Sequence, residues 1–153
     1  LKKVKPDIRF SSDFIIGYPG ETDDDFNKTL ELIKKVEFIN SYSFIYSSRP
    51  GTPASELGNV DAAVAKKRLI KLQTLLETNN SKYKNFFLNK SIEVLFENKL
   101  NKQNKYFGRD KFLNSVIVES EQDLTGQLLE VKINNFNHNS LFGVVLSNKK
   151  IAA

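Results

Sequence analysis

The residues best suited to contact a ligand stand where a hydrophobic segment stops at two glycines and a proline, in the stretch SSDFIIGYPGET over residues 11–22. Glycine lets a backbone approach a bound molecule closely, and ligands of α/β proteins bind at the carboxyl ends of parallel strands. A purely structural interpretation fits the same residues. Thr22 is a good helix N-cap, Asp25 stands where a capping box places its acid, and acids in a first turn favour the helix dipole. The local sequence leaves both interpretations open.

Arg49 is a second candidate contact. It follows the predicted strand NSYSFIYSS, over about residues 40–48, and begins a loop that reads RPGTP. At the carboxyl end of a strand its guanidinium could bind a carboxylate, a phosphate or a nucleotide. The alternative is a loop arginine paired with an acid.

The composition restricts this chemistry. The 153 residues contain no Cys, which excludes a disulfide, a thiolate nucleophile and a cysteine-ligated iron–sulfur cluster within the chain. The one His, His138, gives no basis for a histidine metal site, so we expect no metal ligand here. A net charge of +5 favours an anionic partner such as RNA. The absence of Cys fits a cytoplasmic protein, and no apolar run predicts a membrane span.

The elements that must position these residues begin with a βαβ unit in residues 1–58. Hydrophobic periodicity predicts a strand over about 8–16, a helix over 23–36 and the strand over 40–48. Two parallel strands do not make a sheet core by themselves, and the chain begins at Leu1 without any Met, so we expect a fragment of a longer protein. A long helix is predicted over 61–88, with Lys84 off its apolar stripe. That stripe comprises Ala65, Leu69, Leu72, Leu76, Tyr83 and Phe87.

From Ser91 onward the period changes to two. The segments SIEVLFEN, SVIVES, GQLLEVKIN and LFGVVLS, with a short strand near Tyr106, predict a five-stranded antiparallel barrel. The predicted fold class is therefore α/β followed by all-β. We place the domains at residues 1–85, including the long helix, and 86–151.

Four segments together suggest a family. In their order and distances, DFIIGYPGETDDDF, SYSFIYSSRPGTPA, GRD and NSLFG resemble the C-terminal part of the radical S-adenosylmethionine (SAM) methylthiotransferases. The resemblance covers nearly the whole chain and favours the branch that adds a methylthio group to C2 of N6-dimethylallyladenosine next to the tRNA anticodon. It implies the C-terminal end of a partial TIM-like radical SAM barrel, followed by a TRAM domain that binds RNA.

The resemblance also implies cofactors and partners. The parent enzyme would use SAM and two 4Fe–4S clusters, an electron donor such as flavodoxin or ferredoxin, and tRNA as substrate. It would be a cytoplasmic monomer without a membrane contact. Because the cluster cysteines are absent from this chain, we expect no catalytic residue in it, and we expect the chain alone to be inactive. Two alternatives stay open: a methylthiotransferase for threonylcarbamoyl-adenosine in tRNA, and a stand-alone TRAM RNA-binding protein.

Carried over residue by residue, the resemblance assigns a site. Arg49 would contact the substrate, and Arg109 with Lys111 would contact RNA. Glu21 stands one residue further from the strand than in many radical SAM enzymes, so bracing of the loop or helix capping is at least as good an interpretation as a ligand role. The implied SAM contacts are Ile15, Gly17, Gly20, Ser43 and Phe44.

Overall fold

A computed structural model describes residues 1, 3–100 and 104–147. Residue contacts divide the chain into two compact units, Leu1–Asn80 and Ser81–Ala153. Residue 151, the predicted end of the second domain, lies outside the described residues. The elements in chain order are β1 (Asp13–Ile16), α1 (Asp23–Val36), β2 (Tyr42–Ile45), a 3-10 helix (Pro53–Glu56), α2 (Ala62–Asn85), β3 (Ser91–Lys99), β4 (Lys105–Arg109), β5 (Ser115–Glu119), β6 (Leu128–Phe136) and β7 (Leu141–Ser147).

The first unit contains the predicted βαβ arrangement. Strands β1 and β2 pair in parallel, with Ile15 opposite Phe44. Both strands are shorter than predicted, because the backbone ladder between them is limited to four residue pairs, from Asp13–Tyr42 to Ile16–Ile45. The described part of this unit has two strands, so a TIM-like barrel is not seen. The unit's apolar core is formed by Phe14, Ile16, Phe26, Leu30, Ile33, Leu72 and Leu76.

Helix α1 begins as the sequence predicts. Thr22 is the N-cap, and its hydroxyl accepts a hydrogen bond from the Asp25 N–H at 3.2 Å. The Asp25 carboxylate in turn accepts from the Thr22 N–H at 3.0 Å, which completes the capping box. The Thr22 hydroxyl also donates to the Asp25 carboxylate at 2.6 Å, and this hydrogen bond, together with the one from the Thr22 N–H, lowers the pKa of Asp25. Asp25, in the acidic run that follows the loop at residues 17–20, therefore has a structural role at the helix start.

Helix α2 buries its predicted apolar stripe, apart from Leu69, which is half-buried. Two charged residues are buried as well. Lys84, which we predicted off the stripe, is only 4% exposed, so that prediction is wrong. Arg68 is 7% exposed and was not predicted to be buried. The buried Arg68 and Lys84 both matter for the candidate site described below, because buried charged groups need partners.

The second unit is a closed five-stranded barrel in the order β3-β4-β5-β7-β6. Neighbouring strands are antiparallel except β5 and β7, which pair in parallel with Val116 opposite Leu141. The prediction of a fully antiparallel barrel is therefore wrong. A closed ring with an odd number of strands cannot alternate direction throughout, so one parallel pair is unavoidable. Alternate residues fill the interior, namely Val94, Phe96, Tyr106, Val116, Val118, Leu129, Val131, Ile133 and Leu141.

Two barrel glycines lie where neighbouring strands approach closely. A Cβ added at Gly108 would stand 2.5 Å from the Leu95 carbonyl oxygen. A Cβ at Gly143 would overlap the carbonyl oxygen of Lys132. The glycines of the GRD and NSLFG segments are therefore required by strand packing.

Candidate functional site

The loop after β1 is shaped by Gly17 and Glu21. Gly17 and Gly20 both adopt positive φ, +72° and +85°, a conformation that favours glycine. The Glu21 carboxylate accepts a hydrogen bond from the Gly17 N–H at 2.9 Å, and the Glu21 N–H donates to the Tyr18 carbonyl at 2.9 Å. Glu21 therefore braces the loop from within, as one of the two interpretations proposed.

Arg68 of α2 holds this loop from the other side. Its Nη1 donates to the Glu21 carboxylate at 2.7 Å and to the Glu21 carbonyl at 3.0 Å, and its Nη2 donates to Asp23 at 2.7 Å. The hydrogen bond to Asp23, with a further contribution from Glu21, raises the pKa of Arg68 against the opposing effect of burial. The Arg68 and Glu21 side chains are 8% and 11% exposed, so this ion pair is largely shielded from water.

Sequence reasoning missed Arg68, although a signal was present. Position 68 lies three residues after Ala65 and four before Leu72, so it belongs to the apolar stripe of α2. An arginine within such a stripe indicates a buried partner. The identity of that partner, 47 positions away for Glu21, is not contained in the helical pattern.

The β1–β2 register brings two of the predicted SAM contacts together. Ile15 and Phe44 are directly opposite each other and are 57% and 56% exposed. Ser43 pairs with Phe14, which faces the core, so Ser43 lies on the opposite face of the sheet from Ile15 and Phe44. The structure therefore does not group Ser43 with them.

The two glycines differ in their surroundings. A Cβ at Gly17 would stand 2.9 Å from the Ala65 Cβ, so packing against α2 as well as positive φ requires glycine there. Gly20 has open space, because a Cβ added there would meet no heavy atom within 4 Å. Close approach of a ligand is thus possible at Gly20, whereas Gly17 has a structural reason of its own.

Ile15 and Phe44 form an exposed apolar pair on one face of the two-stranded sheet. An adenine ring and a ribose need an apolar surface with a few polar contacts, and Ile15 and Phe44 offer such a surface. Beside β2, the Tyr46 hydroxyl is buried and has no hydrogen-bond partner among the described residues. Its ring packs edge-to-face against Tyr18, with centroids 5.2 Å apart.

Arg49 lies in the exposed loop that follows β2. Its carbonyl oxygen accepts hydrogen bonds from the Thr52 N–H and hydroxyl, at 3.3 and 2.8 Å. Across residues 1, 3–100 and 104–147 its guanidinium makes no ion pair with an acid. The described residues therefore give no support to the alternative interpretation, in which Arg49 pairs with an acid.

Arg109 and Lys111 lie at the end of β4 and in the turn that follows it. The Arg109 guanidinium pairs with Glu97 at 3.1 Å and stands 5.4 Å from the Phe107 ring centre. The Lys111 ammonium is 4.9 Å from the ring centre of Phe112. Both cations therefore lie beside aromatic rings, and both residues are exposed, the Arg109 side chain to 44%.

A buried carboxylate shapes this turn. One oxygen of Asp110 accepts from the N–H groups of Phe112 and Asn114, each at 2.9 Å, and the other accepts from the Asn114 side-chain amide at 2.8 Å. That amide also donates to the Tyr83 hydroxyl at 3.0 Å. Asp110 is thus a structural residue that fixes the backbone between Arg109 and Lys111.

Lys84 fixes a second turn. Its ammonium donates to the Asn137 carbonyl at 3.2 Å and to the His138 carbonyl. Burial lowers the pKa of Lys84. Within the turn, the Asn137 side chain accepts from the N–H groups of Asn139 and Ser140, at 2.9 and 2.8 Å. Helical periodicity contained no signal for this lysine, because its position in the repeat predicted exposure.

Neither a membrane span nor a metal cluster is found among the described residues. No helix there is both long and apolar enough to cross a membrane. No three acidic or histidine side chains in the same ranges are grouped so that they could hold a metal ion.

Comparison with known proteins gives a clear result at the sequence level. No family model matches the chain. A protein of Pelagibacter ubique is 49% identical over 154 residues, covering 99% of this chain and 34% of the relative. Proteins of Maricaulis maris and Zymomonas mobilis are 40% and 39% identical, covering 100% and 99% of the chain and 34% of each relative. The chain thus spans about a third of the length of these relatives.

The similarity extends over the whole chain. The chain is homologous to tRNA-modifying methylthiotransferases, as the sequence motifs predicted. More particularly, these relatives are all named tRNA-2-methylthio-N(6)-dimethylallyladenosine synthase, and this is the family that the chain matches.

Proposed function

We propose that this chain serves an enzyme that adds a methylthio group to C2 of N6-dimethylallyladenosine next to the tRNA anticodon. The observation that carries this proposal is the similarity, at 39–49% identity, to relatives with that name across at least 99% of the chain. In this proposal the first unit contributes a SAM-facing sheet and the second unit contributes a tRNA-binding barrel. The enzyme acts in the cytoplasm as a monomer and receives electrons from a flavodoxin or ferredoxin.

The SAM-facing surface consists of Ile15, Phe44 and the loop around Gly20. The apolar side chains would lie against the adenosyl group, and the open space at Gly20 would admit a ligand close to the backbone. Gly17 and Glu21 would hold the loop in shape rather than touch the ligand. When bound, SAM would supply the methyl group and the radical chemistry of the reaction.

The 4Fe–4S clusters of the proposed enzyme find no ligands in this chain. Iron–sulfur clusters are held by thiolates, and the 153 residues contain none. The cluster ligands would therefore come from other residues of the enzyme, and by itself the chain would be inactive. Arg49 would contact the substrate, and Arg109 with Lys111 would contact tRNA phosphates.

The experiment uses the longer protein that contains this chain, purified with its clusters reconstituted. It is incubated with SAM, a reductant and tRNA carrying dimethylallyladenosine, and the nucleosides are analysed by mass spectrometry. We expect 2-methylthio-dimethylallyladenosine. A product only on tRNA carrying threonylcarbamoyl-adenosine would establish the first alternative, and tRNA binding without a product would favour an RNA-binding protein.

The SAM-facing surface has a matched control on α2. Ile70 is 55% exposed, close to the 57% of Ile15, so replacement of either residue by Ser should leave the fold intact. We expect Ile15→Ser to weaken SAM binding in equilibrium dialysis and Ile70→Ser to leave it unchanged. Equal SAM affinity in both variants would remove Ile15 from the proposed surface.

A further inference from the structure

The barrel has one end at which three segments meet. Strands β4 and β6 both run antiparallel to β3. Arg109, the last residue of β4, pairs with Leu95 in the middle of β3. In β6, the Ile133 carbonyl accepts from the Asn89 N–H, and the Ile133 N–H donates to the Lys90 carbonyl, just before β3 begins.

The turn at residues 110–114 reaches the segment 86–90 through Tyr83, whose hydroxyl accepts from Asn114 and whose ring packs against Phe87. The turn at residues 137–140 directly follows β6 at the same end. Strands β5 and β7 run parallel, so both begin at this same end of the barrel. We call these three segments the turn end of the barrel.

The last turn of α2 fixes both turns of this end. Tyr83 accepts a hydrogen bond from Asn114 in one turn, and Lys84 donates to the carbonyls of Asn137 and His138 in the other. Tyr83 and Lys84 are 8% and 4% exposed, so these bonds are shielded from water. The turn end is therefore held in one arrangement before any partner arrives, which lowers the entropic cost of binding.

Two pairs of a lysine and a phenylalanine lie at this end. Phe86 is 55% exposed, and the Lys90 ammonium stands 3.0 Å from its ring centre. Lys111 lies against Phe112 in the neighbouring turn. The one acid in these three segments, Asp110, is buried, and its carboxylate accepts hydrogen bonds from N–H groups of its own turn. The exposed charge of these segments is thus positive.

We propose that the turn end binds unpaired nucleotides of RNA, with a base stacked on Phe86 and neighbouring phosphates on Lys90 and Lys111. An exposed aromatic ring with cations beside it matches single-stranded nucleic acid, which presents flat bases and a charged backbone. A paired stem offers phosphates but no base face, so it would engage the lysines alone. This inference rests on the proposed tRNA-binding function and specifies which part of the RNA is recognised.

The test measures binding of the 153-residue chain to two fluorescent RNAs, a tRNA anticodon stem–loop and the same stem as a blunt duplex. We expect Phe86→Leu to weaken binding of the stem–loop about tenfold and to leave duplex binding unchanged, since stacking on an aromatic ring is lost and an apolar residue is kept. We expect Lys90→Gln to lower the slope of log affinity against log salt by about one for both RNAs.

The opposite end of the barrel provides matched controls. Lys99, at the end of β3, also lies beside an aromatic ring, with its ammonium 5.6 Å from the ring centre of Tyr106. Leu128, at the start of β6, is an exposed apolar residue. Lys99→Gln and Leu128→Ala should leave both affinities unchanged, and thermal unfolding of all four variants checks that each is folded.

Three results would overturn the proposal. If Phe86→Leu leaves stem–loop binding unchanged, no base stacks on Phe86, while the proposed tRNA function stands. If the variant weakens duplex and stem–loop binding equally, the surface does not recognise unpaired bases. If the wild-type chain binds neither RNA, both the turn-end proposal and the tRNA-binding role of the barrel are wrong.

Discussion

Replacement of Arg68 by Met tests whether the loop after β1 depends on a buried ion pair. The substitution keeps an unbranched apolar side chain but removes the guanidinium that pairs with Glu21 at 2.7 Å. The Glu21 carboxylate, 11% exposed, then retains only the Gly17 N–H as a described partner. Removal of one member of a buried pair leaves an uncompensated charge and costs about 3–5 kcal/mol of stability. We therefore expect a loss near that range.

A double-mutant cycle with Glu21→Gln separates the pair from the rest. The side-chain amide oxygen of the Glu21→Gln variant can still accept from the Gly17 N–H, so this change alone should cost less, about 1–2 kcal/mol. In the double variant no buried charge is left alone. Its loss should therefore be smaller than the sum of the two single losses, by a coupling of about 1–3 kcal/mol.

Lys28 provides the control, because it pairs with Asp24 at a similar distance, 2.6 Å, but in an exposed setting. Exposed pairs four residues apart in a helix contribute at most about 0.5 kcal/mol, so Lys28→Met should be nearly neutral. The assay is native-state amide exchange at Gly17, whose N–H reports opening of the loop, together with urea unfolding of the chain. If Arg68→Met costs no more than Lys28→Met, or if exchange at Gly17 is unchanged, the ion pair does not hold the loop.

The barrel and the first unit give further tests. Gly143→Ala should cost about 1–3 kcal/mol in urea unfolding, because its Cβ would overlap a neighbouring strand, whereas Gly58→Ala, in open space, should be nearly neutral. The pKa of Lys84 is lowered in the folded state, so the unfolded state holds more protons between that value and the ordinary lysine value of about 10.4. Stability should therefore rise with pH through this window, and Lys84→Met should abolish the rise while Lys82→Met, in the same helix turn, retains it. Residues 1–58 alone should show no cooperative unfolding by circular dichroism, because they bury too little apolar surface, and a sharp transition would contradict this.

Features set by short-range physics could be predicted from the sequence. Capping by Thr22 and Asp25, three residues apart, depends only on groups within one helical turn, and the structure confirms it. The apolar stripe of α2 and the two-residue alternation of the barrel strands likewise follow from the geometry of a single element. The order and spacing of four loop segments were enough to predict the family, which the comparison with relatives confirms.

Features that depend on which elements meet were decided only in the tertiary structure. Whether Ser43 or Phe44 joins Ile15 is set by the sheet register and by which face packs on the helices. The parallel β5–β7 pair follows from closing a ring of five strands, which no single strand records. The burial of Arg68 and Lys84 depends on a loop 47 residues earlier and a turn 53 residues later in the chain. Helical periodicity states on which side of a helix a charge lies, but the free energy of that charge is determined by the groups that the fold brings to it.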